Sequence, residues 1–193
     1  MKNTENLPTI AFASQQEWEQ WLAEHHADAP GVWLKIAKRE SGIPSVSYAE
    51  ALDSALCYGW IDGQKAAYDE RYWLQKFTPR RPKSGWSKVN REKATALINA
   101  GRMQPEGLRQ VEMARADGRW DNAYDSQSKS SVPEDFQRAL DNNAQARAFF
   151  NTLDSANRYA ILYRIQTAKK PETRRARIDK LIAMLAKHEK IHP

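Results

Sequence analysis

Residues 57–90 read CYGWIDGQKAAYDERYWLQKFTPRRPKSGWSKVN, and this segment determines how the first half of the chain is organised. Two segments with the composition of β-strands, 60–67 and 71–78, are separated by a short polar turn. A connection this short cannot make a parallel crossover, so the two strands are predicted to form an antiparallel hairpin. The segment 79–85 that follows contains two prolines and a glycine, and is predicted to be irregular.

Helices and one further strand are predicted on both sides of the hairpin. Ser47 and Glu50 have the spacing of a capping box, which begins a helix that Gly59 ends in a left-handed conformation. Apolar and polar residues alternate over 32–37, as in a half-buried strand. Helical spacing and end signals predict the remaining helices of this part at 14–26, 87–100 and 105–116.

The C-terminal third of the chain is predicted to be helical. Its helical patterns cover 134–142, 145–152 leading on to 155–168, and 171–188. We therefore predict the α+β class: a small antiparallel or mixed sheet with flanking helices, followed by a C-terminal helical bundle. The predicted domains are an α+β domain over 1–118, a polar linker over 119–133 and a helical domain over 134–193.

Composition excludes several classes of protein. At 193 residues and 41% hydrophobic content, the chain can form a core, and its apolar runs are far shorter than the roughly 20 residues of a membrane span. Cys57 is the single cysteine, so no intrachain disulfide can form. The four histidines have no metal-ligand spacing. The N-terminal segment lacks the pattern of a secretory signal, and we expect a cytoplasmic protein.

The net charge of +6 is distributed in blocks. Residues 65–102 hold ten Lys or Arg against three Asp or Glu, a net +7, and residues 158–193 hold the same numbers. The segments 1–64 and 103–157 are acidic. Basic blocks attract phosphates, nucleic acids and acidic lipid head groups, but they also pack against acidic blocks of the same chain.

Segment 57–90 also concentrates side chains that bind anions. The guanidinium groups of Arg71, Arg80 and Arg81 suit a carboxylate or a phosphate. The segment 84–87 leads into a predicted helix, whose free backbone amides and dipole favour an anion. The sequence therefore predicts a pocket for a small anionic ligand, built from the hairpin and the loop that follows it.

Indole rings are expected to provide a stacking surface in this pocket. The rings are those of Trp60, Trp73 and Trp86. In the alternative interpretation, the aromatic residues pack in the core of the hairpin, and Asp62 pairs with Arg71 across it. No metal, cofactor or catalytic residue is predicted. The predicted ligand-binding residues are Trp60, Asp62, Arg71, Trp73, Phe77, Arg80, Arg81, Ser84, Trp86, Ser87 and Asn90.

Motifs of this segment, together with one near the C-terminus, also carry a family resemblance. The motifs are GWIDG at 59–63, FTPR at 77–80, a Ser-x-Trp-Ser-x-x-Asn step at 84–90 and KPETRRARI at 170–178. With them the chain resembles the YdeI/OmpD-associated family, also called OmdA-like or bacteriocin-protection proteins, over about residues 12–188. The resemblance implies a role in survival under cationic antimicrobial peptides and bacteriocins, and it implies no catalytic mechanism. The family is described as periplasmic, which the missing export signal does not match.

Three functions follow from these features. The first is a cytoplasmic stress-resistance or bacteriocin-resistance protein that binds a small anionic ligand or a protein partner. The second is a nucleic-acid-binding protein that uses both basic blocks. In the C-terminal block, phosphates would be contacted by Lys169, Lys170, Arg174, Arg175 and Arg177.

The third function is an enzyme that uses Asp62 as an acid or base, or Cys57 as a nucleophile. No phosphate-binding loop, nucleophile elbow, zinc-protease motif or paired cysteine motif is present in the sequence. A buried cysteine at the end of an apolar helix is the alternative for Cys57. The sequence therefore favours a binding protein over an enzyme.

Overall fold

The computed structural model describes residues 7–126, 130–168 and 170–193. They divide into two units, each with its own contacts. The first takes in the chain up to Gly85 together with 90–121, and the second takes in 86–89 together with the chain from Asn122 onward. The α+β class predicted from the sequence is confirmed.

A four-stranded mixed sheet organises the first unit. In the order β1-β2-β4-β3, its strands are β1 (Thr9–Ala11), β2 (Val32–Ala37), β4 (Tyr72–Pro79) and β3 (Trp60–Ala67). Strand β1 runs parallel to β2, and the pairs β2–β4 and β3–β4 are antiparallel. The predicted hairpin is thus confirmed, whereas β1 is too short for its alternation to be visible in the sequence.

Four α-helices accompany the sheet. They are α1 (Gln15–His25), α2 (Tyr48–Cys57), α3 (Lys88–Asn99) and α4 (Pro105–Ala116), with a 3₁₀ turn at Arg39–Ser41. The predicted capping box is confirmed, because the Glu50 amide donates to the Ser47 hydroxyl at 3.3 Å and the Ser47 amide donates to the Glu50 carboxylate at 2.9 Å. Helix α2 ends as predicted, with Gly59 at a φ of 73°.

One face of the sheet forms the core of the first unit. Val32, Leu34 and Phe77 alternate along their strands and are fully buried. Trp18 of α1 packs on this face, with its ring centroid 5.6 Å from that of Phe77. The Trp18 indole also donates to the Ala51 carbonyl of α2 at 3.0 Å, so one side chain joins sheet and both helices.

Strand β3 contains a bulge between Asp62 and Lys65, where the register shifts by one residue. The buried side chain of Gln75 on β4 donates to the carbonyls of Gly63 and Gln64 at 3.0 and 3.2 Å. A buried amide thus satisfies carbonyls that the bulge removes from the ladder.

The second unit is helical. Its helices are α5 (Glu134–Asp141), α6 (Ala144–Thr152), α7 (Ser155–Gln166) and α8 (Pro171–Ala186). The break between α6 and α7 is fixed by Asp154, whose carboxylate accepts a hydrogen bond from the Asn157 amide at 2.7 Å. The core contains Phe136 and Phe150, whose rings meet edge to face at 5.5 Å, together with the apolar stripe of α8.

The segment predicted as a linker begins with packed residues. Arg119, Trp120 and Ala123 are each buried. Residues 127–129 of that segment lie outside the described residues, as do 1–6 and Lys169. Within the described ranges, no helix combines the length and the apolar character needed to cross a membrane.

Candidate functional site

The first unit contains a cleft of about 1100 Å³ at the end of the hairpin where β3 begins and β4 ends. Four of the predicted residues line it: Trp60, Arg80, Arg81 and Ser84. Prolines and backbone of the loop after β4 form one wall, and the segment before β2 forms another. The hairpin and the loop therefore meet at one cavity.

Two buried arginines hold the loop that lines the cleft. The Arg80 guanidinium, 6% exposed, donates to the Gly85 carbonyl at 2.7 Å. The Arg119 guanidinium, 8% exposed, donates to the Ser84 carbonyl at 2.7 Å and is itself held by Asp117 at 2.7 Å. Charge-assisted hydrogen bonds to successive carbonyls fix the loop between them.

Helix α4 supplies a wall of the cleft that the sequence analysis did not predict. Glu106, Arg109 and Gln110 line the cavity from this helix. The helix approaches closely because Gly59 has no side chain: a Cβ there would lie 3.1 Å from the side chains of Glu106 and Gln110. The sequence shows Gly59 as a position that allows close approach. It does not show that α4 is the element that approaches, because α4 lies far from Gly59 along the chain.

The charge of the lining is predominantly positive. Among the residues that the structure describes, its cations are Lys76, Arg80, Arg81 and Arg109, and its single carboxylate is that of Glu106. The Arg109 guanidinium donates two hydrogen bonds to that carboxylate, of 2.6 and 3.1 Å. These bonds hold the pKa of Glu106 below its usual range. With the pair neutralised, the remaining formal charge of the lining comes from the other three cations.

The predicted stacking role of the indoles is wrong for two of them. Trp60 and Trp86 are each 1% exposed, so neither offers a ring face to a ligand. Trp60 instead donates from its indole nitrogen to the His26 carbonyl at 3.1 Å and forms part of the cleft floor. The aromatic wall comes from Tyr58 and the His26 imidazole, whose centroids are 5.3 Å apart.

The predicted ion pair between Asp62 and Arg71 is also wrong. Asp62 pairs with Phe77 in the ladder, whereas Arg71 immediately precedes β4, so the two lie roughly 20 Å apart along the strand. The partner of Asp62 is the Tyr48 hydroxyl, which donates to its carboxylate at 2.8 Å. Burial and the adjacent carboxylate raise the pKa of Tyr48, so this hydroxyl stays a donor.

Two other predicted residues of β4 do not line the cleft. Phe77 is fully buried in the core, which agrees with the alternative interpretation of the aromatic residues. Trp73 is half-buried, and the Lys65 ammonium lies 4.3 Å from its ring centroid. The ring centroid of Trp73 also lies 6.2 Å from that of Tyr48. Trp73 pairs with Ala67, at the end of the hairpin opposite to the cleft.

The predicted anion site at the start of α3 is not formed as expected. Ser87 forms a parallel bridge with Tyr124, and the amide of Lys88 donates to the Tyr124 carbonyl at 2.8 Å. One of the amides expected to receive an anion is therefore already used. Trp86 and Ser87 belong to the second unit, and Asn90 is half-buried on α3.

Cys57 has the properties of a core residue. It is 3% exposed, and burial raises the pKa of its thiol to about 11. The thiol is therefore protonated at pH 7, whereas the nucleophilic form is the thiolate. The geometry therefore gives no support to a nucleophilic role.

The arginines of the C-terminal motif hold the second unit together. The Arg174 guanidinium binds both carboxylate oxygens of Asp135, at 2.6 and 2.9 Å, and donates to the Ile165 carbonyl at 3.0 Å. Arg177 donates to the Arg164 carbonyl at 2.6 Å. Both carbonyls belong to the last turn of α7, where cations are favoured by the helix dipole.

Comparison with protein-family models gives two matches. Residues 10–110, just over half of the chain, match the model described as "Domain of unknown function (DUF8412)". The chain belongs to this family. The match covers the GWIDG and FTPR motifs and most of the cleft lining, α4 as far as Gln110 included.

Residues 129–188 match the model described as "Bacteriocin-protection, YdeI or OmpD-Associated", or OmdA. The resemblance to the YdeI/OmpD-associated family is confirmed there, and α5 to α8 lie within the matched residues, which we call the OmdA domain. The resemblance was predicted over residues 12–188, whereas this match is confined to the OmdA domain. No curated protein and no solved structure matches the chain.

Proposed function

We propose that the first unit binds a small anionic ligand in the cleft at the end of the hairpin. The observation that supports this most is the lining charge: the described lining residues include four cations, Lys76, Arg80, Arg81 and Arg109, and one carboxylate, that of Glu106. A cavity with walls of low dielectric and one sign of charge concentrates ions of the opposite sign. The ligand class is therefore a phosphate or carboxylate compound.

The cleft is built in advance of any ligand. Arg80 and Arg119 fix the loop through its carbonyls, and the bulge of β3 is fixed by Gln75. Binding then orders little additional chain, which favours affinity. Arg81 is exposed and belongs to the same loop, so its guanidinium is the group best placed to meet the ligand.

The size of the cleft indicates a ligand larger than a bare anion. Its volume of about 1100 Å³ is comparable with that of pockets for cofactors and drug-sized molecules. The rings of Tyr58 and His26, tilted by 53° to one another, provide a partly apolar aromatic wall on one side. We therefore favour a phosphorylated metabolite with a ring system over inorganic phosphate.

The OmdA domain supports a role in stress resistance. The printed family description names bacteriocin protection, and we extend that role to this chain as part of the proposal. The protein would act in a reducing compartment such as the cytoplasm, where its single buried thiol remains reduced. In this proposal, binding of the ligand or of a protein partner signals the stress against which the protein acts.

The structure favours this function over nucleic-acid binding by the two basic blocks. Within the central block, Lys93 pairs with Asp53 at 2.6 Å and Arg102 pairs with Glu19 at 3.0 Å. In the C-terminal block, the guanidinium of Arg174 is held by Asp135. Because these cations are already paired with carboxylates, the two blocks would neutralise fewer phosphates of a nucleic acid than their number of Lys and Arg residues indicates.

Calorimetric titration tests the proposal. The full chain is titrated with AMP and with pyrophosphate, alongside the variants Arg81→Gln and Lys83→Gln. Lys83 is exposed in the same loop but does not line the cleft, so its variant is a control for net charge. We expect Arg81→Gln to weaken binding about tenfold, because a charge-assisted hydrogen bond is lost, and Lys83→Gln to change it little.

Two results would contradict the proposal. One is the absence of heat for both anions at low salt. The other is an equal loss of affinity in Arg81→Gln and Lys83→Gln, because that would mean general charge attraction without a site.

A further inference from the structure

The sheet of the first unit has a second face, which the cleft does not explain. Paired residues of adjacent strands point to the same side of a sheet. The pairs Trp33 with Lys76, Lys35 with Leu74 and Ala37 with Tyr72 therefore share one side. Along β2 these positions alternate with residues buried in the core. We call this side, defined by Trp33, Lys35, Tyr72, Leu74 and Lys76, the outer face.

The outer face presents aromatic rings in contact with lysines. Trp33, Tyr72 and Leu74 are half-buried, so each keeps part of its side chain accessible. The Lys35 ammonium lies 4.4 Å from the ring centroid of Tyr72 and 4.6 Å from that of Tyr68. Tyr68, in the hairpin turn, is 51% exposed.

The charge at the described strand positions of this face has one sign, and the carboxylate of Asp69 in the hairpin turn interacts with Lys35. The charged residues at its described strand positions are Lys35 and Lys76, and the carboxylate of Asp62 lies on the opposite side because it pairs with Phe77. Lys76 lies 5.6 Å from the ring centroid of Trp33. Each lysine is therefore held beside an aromatic ring.

We propose that the outer face binds single-stranded nucleic acid, with bases stacked on Trp33 and Tyr72 and phosphates bound by Lys35 and Lys76. Aromatic rings on an open sheet with interspersed lysines combine the two elements of such sites, a stacking platform and cations for the backbone. A base stacks on an aromatic ring more strongly than an exposed ammonium does, so a base displaces the lysine. The released ammonium then lies next to the phosphate.

Two features select a single strand over other polyanions. A duplex hides the faces of its bases, so it cannot use Trp33 or Tyr72. An acidic peptide would meet the lysines but would gain nothing from the ring faces. Lys76 also lines the cleft, whereas Trp33, Lys35 and Tyr72 do not, so the variants at Trp33 distinguish this proposal from the proposed function of the cleft.

Fluorescence anisotropy with a fluorescein-labelled oligothymidylate of about 15 nucleotides tests the proposal on the full chain. We expect binding at low salt, weakened about tenfold by Trp33→Leu and retained in Trp33→Phe, since phenylalanine restores a stacking face. Tyr68→Leu is a second variant at a well-exposed position, and it too is expected to weaken binding, because the Tyr68 ring also lies beside the Lys35 ammonium and adds a stacking surface at the edge of the outer face. The double variant Lys35→Gln/Lys76→Gln should reduce the salt slope by about 1.4.

The control double variant Lys187→Gln/Lys190→Gln removes two exposed lysines of the second unit and should bind as the parent does. Circular dichroism melting verifies that each variant is folded. The proposal is overturned if the oligonucleotide does not bind, or if polyglutamate or a DNA duplex of equal charge competes equally well. It is also overturned if Trp33→Leu and Tyr68→Leu, both folded, bind unchanged.

Discussion

At the scale of single residues, arginines serve the fold as well as the candidate site. Arg80 is buried and bonded to the Gly85 carbonyl, whereas Arg81 is exposed at the edge of the cleft. Adjacent residues of the same type therefore have different tasks: Arg80 positions the loop and Arg81 supplies accessible charge. The sequence shows both as arginines, but only burial separates the two tasks.

Cys57 provides a prediction at this scale. Its thiol should resist Ellman's reagent in the folded protein at pH 8 and react fully in urea, because burial raises its pKa to about 11. The protonated thiol is favoured in the folded state, so its contribution to stability is complete below its ordinary pKa of 9.0 and is lost as the pH rises through about 11.

The variant Cys57→Ala is the comparison for this prediction. Urea denaturation at several pH values should show that the stability of the parent falls more steeply between pH 9 and 11 than that of the variant. Rapid modification of the native thiol at pH 8 would contradict a buried position.

At the scale of elements, helices α2 and α4 meet at unusually short range. A Cβ added to Gly107 would overlap the Cys57 carbonyl and lie 2.8 Å from the Leu56 carbonyl oxygen. The Gln104 amide donates to the Cys57 carbonyl at 3.1 Å, so the start of α4 also satisfies the end of α2. The close contact between α2 and α4 therefore positions the wall of the cleft that α4 supplies.

Gly107→Ala is therefore expected to destabilise the protein by about 3 kcal/mol or more, since backbone atoms cannot move aside as side chains do. Helix propensity alone predicts the opposite sign, a gain of up to about 1 kcal/mol. Urea denaturation distinguishes the two. Gly42→Ala is the control: its φ is 66° but a Cβ meets no atom within 4 Å, so it should cost about 1 kcal/mol.

In the OmdA domain, the ion pair between Asp135 and Arg174 joins α5 to α8. The hydrogen bonds from Arg174 hold the pKa of Asp135 below its ordinary value. The pair therefore stabilises the domain above the ordinary carboxyl pKa and loses its effect as the pH falls through the lowered value. Asp135→Asn should lower the melting temperature at pH 7, and the difference from the parent should shrink below pH 4.

A double-mutant cycle with Arg174→Gln verifies that this effect belongs to the pair. Glu134→Gln is the matched control. The Glu134 side chain is 96% exposed and its carboxylate lies 3.9 Å from the Arg138 guanidinium, so this ion pair at the surface should contribute little to stability. A difference between parent and Asp135→Asn that stays constant from pH 7 to pH 3 would contradict the assignment.

At the scale of the whole molecule, the sequence predicts local features well and distant ones poorly. The hairpin, the capping box of Ser47 and the helices follow from patterns within a few residues, and the structure confirms them. Strand β1 was missed because it is three residues long and gains its stability from pairing with β2. Local patterns do not encode such a pairing.

The candidate site shows the same division. The loop residues Arg81 and Ser84 line the cleft, because they are close in sequence to the hairpin that bounds it, and their role in ligand binding stays a prediction. Arg109 and Arg119 were missed, since they reach the loop or the cleft from elements distant in sequence. Charge and composition indicate which residues bind anions, but only packing shows whether an indole such as Trp60 is covered.

The central claim is that the cations of the cleft converge on an anion. The most direct measurement is a crystal of the full chain soaked in tungstate, a tetrahedral oxyanion with a strong anomalous signal. The account predicts an anomalous peak in the cleft within hydrogen-bond distance of the Arg81 guanidinium. A crystal whose peaks all lie elsewhere, with the cleft open to solvent and empty, would contradict it.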